Sequence, residues 1–259
     1  MDTIIKATST ISETIPEGRG GMIIKALISI ALVLLIVGAS KKIFYTYNKW
    51  KKSKPWILKG TKNAKKRMII LQDPSKDSAI TIGRSENQEG GIEFSYVFWM
   101  FIDDWAVKYG QWKHVMHKGN DSSWPLRAPG VWLHPTENII RVYMNSFKKI
   151  DEYIEISNIP IHKWFHMAIC LREKNLDVFF NGNLVKRKVL EGLPKQNYGD
   201  VYVNNFNGFS GYLSRFKYYN YYISYSEILN HLNRGPSMMP CVDSAEMPPY
   251  LAPNWWVDN

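Results

Sequence analysis

Three sets of side chains in this sequence have types and spacings that could do chemistry: clustered carboxylates, a pair of histidines, and a run of cations mixed with aromatic rings. Two carboxyl groups held a few ångströms apart can split a glycosidic bond, one as acid and the other as base or nucleophile. The nearest clusters are Asp103-Asp104 and Asp151-Glu152 with Glu155. His114 and His117 are possible metal ligands by type. A strand sends residues three apart to opposite faces, so they read as ordinary surface or edge histidines and no metal site is expected. The third set is Lys41, Lys42, Lys49, Trp50, Lys51, Lys52, Lys54, Trp56, Lys65, Lys66 and Arg67. Lysines near an anionic leaflet gain about 1 kcal/mol each, and tryptophan prefers headgroup depth.

The element that would position these cations comes just before them. Met22 to Ala39 supplies 18 residues interrupted by Lys25 alone, within the roughly 17 to 25 that cross a hydrocarbon core. Met22, Lys25, Leu27, Leu32, Leu35 and Ala39 mark this anchor, with Lys25 close enough to its end to extend to the interface. Val37-Gly38-Ala39 could be a signal-peptide cleavage site. Acids upstream and Lys41-Lys42 immediately downstream argue for a retained span instead. The segment is apolar all round, which argues against a soluble core helix.

Eleven of the 33 basic residues lie between Lys41 and Arg67, with no acid among them, in a chain of net charge +10. Everything outside this collar therefore sums to −1, so the field that attracts phosphate groups is confined to it. Basic and aromatic residues in alternation also suit nucleic acid. Adjacency to the anchor makes anionic lipid headgroups the stronger expectation. Cation excess on the C-terminal flank predicts a single-pass protein with its large C-terminal part on the cytosolic face.

The domain expectations are a flexible segment at 1–21, the transmembrane helix at 22–39, the collar at 40–67, a β-sandwich at 68–235 and a Pro-rich extended tail at 236–259. Within 68–235, short β-branched and aromatic runs are separated by Gly, Pro, Asn and Asp. Strands are expected at 68–71, 79–82, 92–102, 114–117, 131–133, 139–144, 153–156, 164–171, 176–180, 184–189, 201–203 and 209–218. So many short strands predict an all-β, two-sheet antiparallel jelly-roll sandwich. Asn181-Gly182 marks a tight hairpin. Ser224 and Glu227 form a capping box for one short helix, which Gly235-Pro236 ends. The tail carries Trp255 and Trp256 as candidates for docking on a partner. Cys170 and Cys241 define no disulfide framework.

Four blocks, Phe94–Met100, His162–Ile169, the Asn181-Gly182 hairpin and Gly211–Phe216, resemble in order and spacing the laminin-G-like branch of the concanavalin A-like lectin/glucanase superfamily. The resemblance covers about residues 68 to 235 and implies the sandwich. Such domains behind one N-terminal anchor are also similar to proteins of large DNA viruses, which implies a virion setting. Glucanases of this fold carry Glu-x-Asp-x-x-Glu on one strand, and no Glu-x-Asp occurs here. The chain is therefore expected not to be an enzyme. Some relatives hold calcium at one rim, which the resemblance would place at Asp103, Asp104 and Asp121; no other cofactor is expected.

Two functions follow. One is a membrane-anchored structural or interaction protein whose sandwich binds protein neighbours, in the virion setting a minor component linking inner membrane to capsid. The other is a membrane-anchored lectin that binds a glycan. Trp105, Trp112, Trp124 and Trp132 could stack on sugar rings, although aromatics in a sandwich more often fill a core or a protein contact.

Overall fold

The computed structural model describes residues 18–85 and 91–241. It divides into two compact units, residues 1–51 and 52–259. The first unit holds nearly all of α1 (Arg19–Ser53). No proline occurs between Ile23 and Ser53, so nothing stops the helix at Ala39 and it runs on through the first half of the collar. At 1.5 Å per residue its 35 residues extend about 52 Å.

The second unit contains twelve strands: β1 (Trp56–Asn63), β2 (Met68–Ile70), β3 (Glu93–Asp104), β4 (Lys113–Gly119), β5 (Arg127–Leu133), β6 (Ile139–Met144), β7 (Glu152–Ser157), β8 (Trp164–Arg172), β9 (Asn175–Phe180), β10 (Asn183–Val189), β11 (Asp200–Val203) and β12 (Ser210–Tyr219). They form two six-stranded antiparallel sheets, ordered β1-β12-β3-β8-β9-β10 and β2-β11-β4-β5-β6-β7. Inward-facing residues from both sheets fill the space between them. Phe98, Met100, Phe165, Met167 and Phe216 from the first sheet meet Val131, Leu133, Ile140 and Val142 from the second. Asn181 and Gly182 take positive φ in the β9–β10 turn, as a two-residue hairpin requires. Lys186 and Lys188 of β10 donate to the carbonyls of Glu155 and Tyr153 on β7, closing one side of the sandwich.

Helix α2 (Tyr225–Arg234) has the expected Ser224–Glu227 capping box. It packs on the outward side of the first sheet, where Ile228 joins Val97, Ala168, Cys170 and Tyr219. His231 is buried there, stacked at 6.1 Å on His166, and its Nε2 meets the Tyr219 hydroxyl.

Two strand expectations are corrected. Residues 79–82 form no strand, because the Gln72 side chain takes the part of a partner strand. Its Oε1 accepts from the Ile82 N–H at 2.8 Å, and its Nε2 donates to the Ile80 carbonyl at 2.9 Å. Conversely, Trp56–Asn63, placed in the collar by its lysines, is the edge strand β1, with Ile57, Leu58 and even Lys62 buried. The far edge of β1 is joined by the chain after α2. Thr61 N–H donates to Met239 O at 2.8 Å, and Cys241 N–H donates to Thr61 O at 2.7 Å.

Candidate functional site

While α2 covers part of the first sheet, the outward side of the second carries an array of rings and guanidinium groups. Its residues follow from the strand period of two: Arg141 and Tyr143 on β6, and Tyr153 and Glu155 on β7, alternate with core residues. Arg141 Nε donates to Glu155 Oε1 at 2.8 Å, and its guanidinium lies 4.2 Å from the Tyr153 ring centre and 4.5 Å from that of Trp112. The Arg127 guanidinium carbon lies 3.6 Å from the Tyr143 ring centre and 5.5 Å from that of Trp124. The Arg127 Nε is buried without a hydrogen-bond partner among the described residues, and burial pulls its pKa below the usual arginine value. Guanidinium–ring contacts of this kind are worth roughly 0.5 to 2 kcal/mol each.

Beside this lies a second cluster, in which Trp132 stacks on Phe206 at 5.7 Å and His117 on Tyr202 at 4.8 Å. Trp132, Tyr143 and Tyr202, each 8% exposed, form the floor of the face. Trp124 at 53%, Phe206 at 44% and Tyr153 at 40% stand above it.

His114 and His117 are brought together here, which corrects the expectation of opposite faces. A register shift in β4 between His114 and Met116 breaks the alternation, so that Val115 and Met116 are both buried and the two histidines share the outward side. Asn205 N–H donates to His114 Nδ1 at 2.8 Å. His114 must then carry its proton on Nε2, which donates to His117 Nδ1 at 2.7 Å, and His117 Nε2–H donates to the Asn120 carbonyl at 2.8 Å. The relay fixes both rings neutral and ties the loops at Asn120 and Asn205 to β4. Burial lowers both pKa values, that of His117 to about 4.

The collar divides between the two units. Lys41, Lys42, Lys49, Trp50, Lys51 and Lys52 are exposed positions of α1, and Lys54 lies in the short link to β1. Trp56 is not available to headgroups in the way expected, since its ring packs 6.0 Å from His231 with Lys217 above it at 4.9 Å. Lys65 and Lys66 are exposed in the β1–β2 turn. Arg67 belongs to the aromatic face: it pairs with Asp121 at 2.5 Å and lies 5.9 Å from the Tyr202 ring centre. The anchor residues Met22, Lys25, Leu27, Leu32, Leu35 and Ala39 are all exposed along α1, and residues 20–53 are long and apolar enough to cross a membrane.

The carboxylates are largely engaged elsewhere. Asp104 Oδ1 accepts from Ala106 N–H, Asp103 lies 4.0 Å from His162, and Asp121 is held by Arg67 and Asn205. Glu152 is buried against the Glu191 N–H, and Glu155 is bound to Arg141. Among the described residues no group of three or more His, Cys, Asp or Glu could hold a metal ion. Trp105 packs against the core beside Lys113. Most of residues 1–21, together with Trp255 and Trp256 in the tail, lie outside the described residues. A separate cleft of about 690 Å³ is lined by Asp73, Arg84, Lys118, Asn197, Tyr198 and Asp200 among others. Burial brings Lys118 down to about 8, opposed by Asp200.

Sequence reasoning missed Arg127, Arg141, Tyr143, Tyr153, Tyr202 and Phe206 as members of one site. The i, i+2 spacing of Arg141 with Tyr143 and of Tyr153 with Glu155 was the available signal.

Comparison with known proteins gives a family model, Laminin_G_3, described as the concanavalin A-like lectin/glucanases superfamily, matching residues 73–229, more than half of the chain. No curated protein matches. Among solved structures, a phenylalanine-to-alanine and a tryptophan-to-alanine mutant of HCR/D each align with a TM-score of 0.50 at 13% identity, over 71% of this chain and 52% of theirs. The binding domain of botulinum neurotoxin DC in complex with SialylT aligns at 0.46 and 16% identity, over 55% of this chain and 35% of that one. The chain thus spans about half or less of these structures, and at such identities the likeness is one of fold.

Proposed function

The chain belongs to the concanavalin A-like lectin/glucanase superfamily, and from that premise we propose that it is a non-catalytic interaction protein, held in a membrane by α1, whose sandwich binds a protein neighbour. The observation that carries this is the outward side of the second sheet. Exposed Trp124, Phe206 and Tyr153 stand over a buried ring floor, with Arg127 and Arg141 laid between them. Tryptophan, tyrosine and arginine dominate the energetic centres of protein interfaces, and rings already fixed by packing lose little entropy on binding. The absence of any Glu-x-Asp and the engagement of Glu152 and Glu155 favour binding over hydrolysis.

The membrane part of the proposal rests on the length and hydropathy of residues 20–53. The lysines after it favour a cytosolic sandwich, with the helical part of the collar at anionic headgroups. In a virion, the same arrangement would tie an inner membrane to a capsid.

A glycan remains the second reading, favoured by the cleft. There Asp73 and Asp200 balance Arg84 and Lys118, and exposed Tyr198 offers a ring, a lining suited to an uncharged, hydroxyl-rich ligand.

A photo-crosslinking residue in place of Trp124, in the full chain in its native membrane, tests the choice. The expected result is a discrete protein adduct that is missing when the probe replaces exposed Lys76. No adduct from Trp124, together with saturable binding on a glycan array that is lost in Tyr198→Ala, would reverse the order of the two readings.

A further inference from the structure

We infer that the end of the sandwich at which the chain arrives from α1 is itself a bilayer contact, with Phe147, Ile150 and Leu193 entering the membrane interface. This rests on the membrane reading above and adds a second point of attachment to the helix. Strand register fixes which loops belong to that end. The chain enters the second unit at Ser53 and Pro55, whose carbonyls accept from Asn220 N–H at 2.9 Å and Tyr218 N–H at 3.1 Å, where β12 closes. Antiparallel pairing carries the same end through the start of β3, the close of β8, the start of β9 and the close of β10. From there Lys188 reaches the Tyr153 carbonyl at the start of β7, which pairs with the close of β6. The β6–β7 loop at 145–151 and the first part of the β10–β11 loop, 190–196, therefore share an end with the anchor's attachment. Tyr109, exposed between β3 and β4, lies at the other end.

The two loops are built to hold apolar side chains out in solvent. Phe147 N–H donates to Leu193 O at 2.9 Å and Lys195 N–H to Asn145 O at 2.8 Å, which fastens the loops side by side. Buried Asn145 braces their base: its Oδ1 accepts from Arg127 N–H at 2.7 Å, and its Nδ2 donates to Pro125 O at 2.9 Å and to the Ile150 carbonyl. On this fixed backbone Phe147 is 71% exposed, and Ile150 and Leu193 are exposed with it. An apolar cluster held out in this way marks a contact with protein or membrane. Two observations choose the membrane. Lys148, Lys149 and Lys195 accompany the cluster, against Asp151 and Glu191; Lys195 Nζ lies 5.3 Å from the Phe147 ring centre, and Lys149 pairs with Glu191 at 3.6 Å. Lysine stems lie along apolar surface while their ammonium groups reach phosphates, and Phe and Leu are side chains that enter the acyl boundary. The tether is the second. The 14 residues of α1 that follow Ala39 measure about 21 Å, the farthest the entry point can stand from the hydrocarbon, and tilt of the helix brings it closer. That confinement keeps the apolar loops at a high effective concentration beside lipid, which no free protein partner shares.

The test places a photo-crosslinking residue at Phe147 of the full chain in vesicles of phosphatidylcholine and phosphatidylserine, with the same probe at Tyr109 as the control. The expected adduct at 147 is with phospholipid, severalfold above the yield at 109. Lys148→Glu with Lys149→Glu should lower it in these vesicles and change it little in phosphatidylcholine alone. A probe at Leu193 should lose its lipid adduct when Phe147→Asp and Ile150→Asp are introduced, two changes at exposed side chains that should leave the urea midpoint unmoved. Equal labelling at 147 and 109, or adducts at 147 with a second copy of the chain instead of lipid, overturns the inference. Alkaline extraction of the same vesicles separates this from the reading beneath it. A chain retained without a lipid adduct at 147 removes only the contact, while a chain washed out removes the span and the contact with it.

Discussion

Lowering the pH from 7 to 4.5 is expected to remove most of the stability of the sandwich. Three buried histidines have pKa values pushed far down by burial, His166 to about 3 and His117 and His231 to about 4, and His114 moves in the same direction. In the unfolded chain each titrates near 6.5. Below that pH the unfolded state binds more protons than the folded state, so stability is present in full above about 6.5 and falls as the pH drops towards 4. At about 1.4 kcal/mol per pH unit for each group, three histidines lose on the order of 8 kcal/mol by pH 4.5, comparable to the whole stability of a typical domain.

The geometry explains why the protons are refused. His166 is fully buried, with neither ring nitrogen partnered among the described residues, stacked on His231 and edge-on to Trp99. His114 cannot take a proton on Nδ1 without opposing the Asn205 N–H, nor His117 without opposing the His114 Nε2–H. Urea unfolding of the full chain in detergent, followed by tryptophan fluorescence, should show the midpoint falling steeply between pH 6.5 and 4.5. His166→Phe should flatten that slope by about one proton. An unchanged midpoint between pH 7 and 5 contradicts this account of the histidines.

The second large effect separates two tryptophans of the same face. Trp132→Ala should destabilise the fold by about 3 kcal/mol or more, because a ring that is 8% exposed and packed between His114 and Phe206 leaves a cavity that its neighbours cannot fill. Trp124→Ala removes a ring that is 53% exposed and should change stability by no more than about 0.5 kcal/mol. Binding should respond the other way: Trp124→Ala should lower capture of the protein neighbour by a photo-crosslinking residue placed at exposed Phe206, with the fold intact. Equal effects on stability would mean that floor and contact rings are not distinct.

The sandwich was legible in the sequence because local signals agreed with it. Asn181-Gly182 can take the two positive φ angles of the hairpin, and Ser224 with Glu227 caps α2 as spacing predicts. Local signals failed where a single side chain or one extra residue overrode the pattern. Lysines disguised β1, although Lys62 is buried within it, and the amide of Gln72 replaced a strand at 79–82. The aromatic face was only half legible. Alternation along β6 and β7 marks Arg141, Tyr143, Tyr153 and Glu155, but no periodicity reveals the irregularity in β4 that turns His114 towards His117. Nor does spacing show that Arg67, at the end of the basic collar, reaches Asp121 more than fifty residues later.

Radical footprinting of the full chain, compared between its native membrane and the purified state, tests the working surface most directly. Oxidation of Trp124, Phe206 and Tyr153 should fall severalfold in the native membrane, while Tyr109 and Tyr225, exposed elsewhere, react equally in both states. Equal oxidation of the three face rings, with protection appearing instead at Tyr198 beside the cleft, would contradict the assignment of this face.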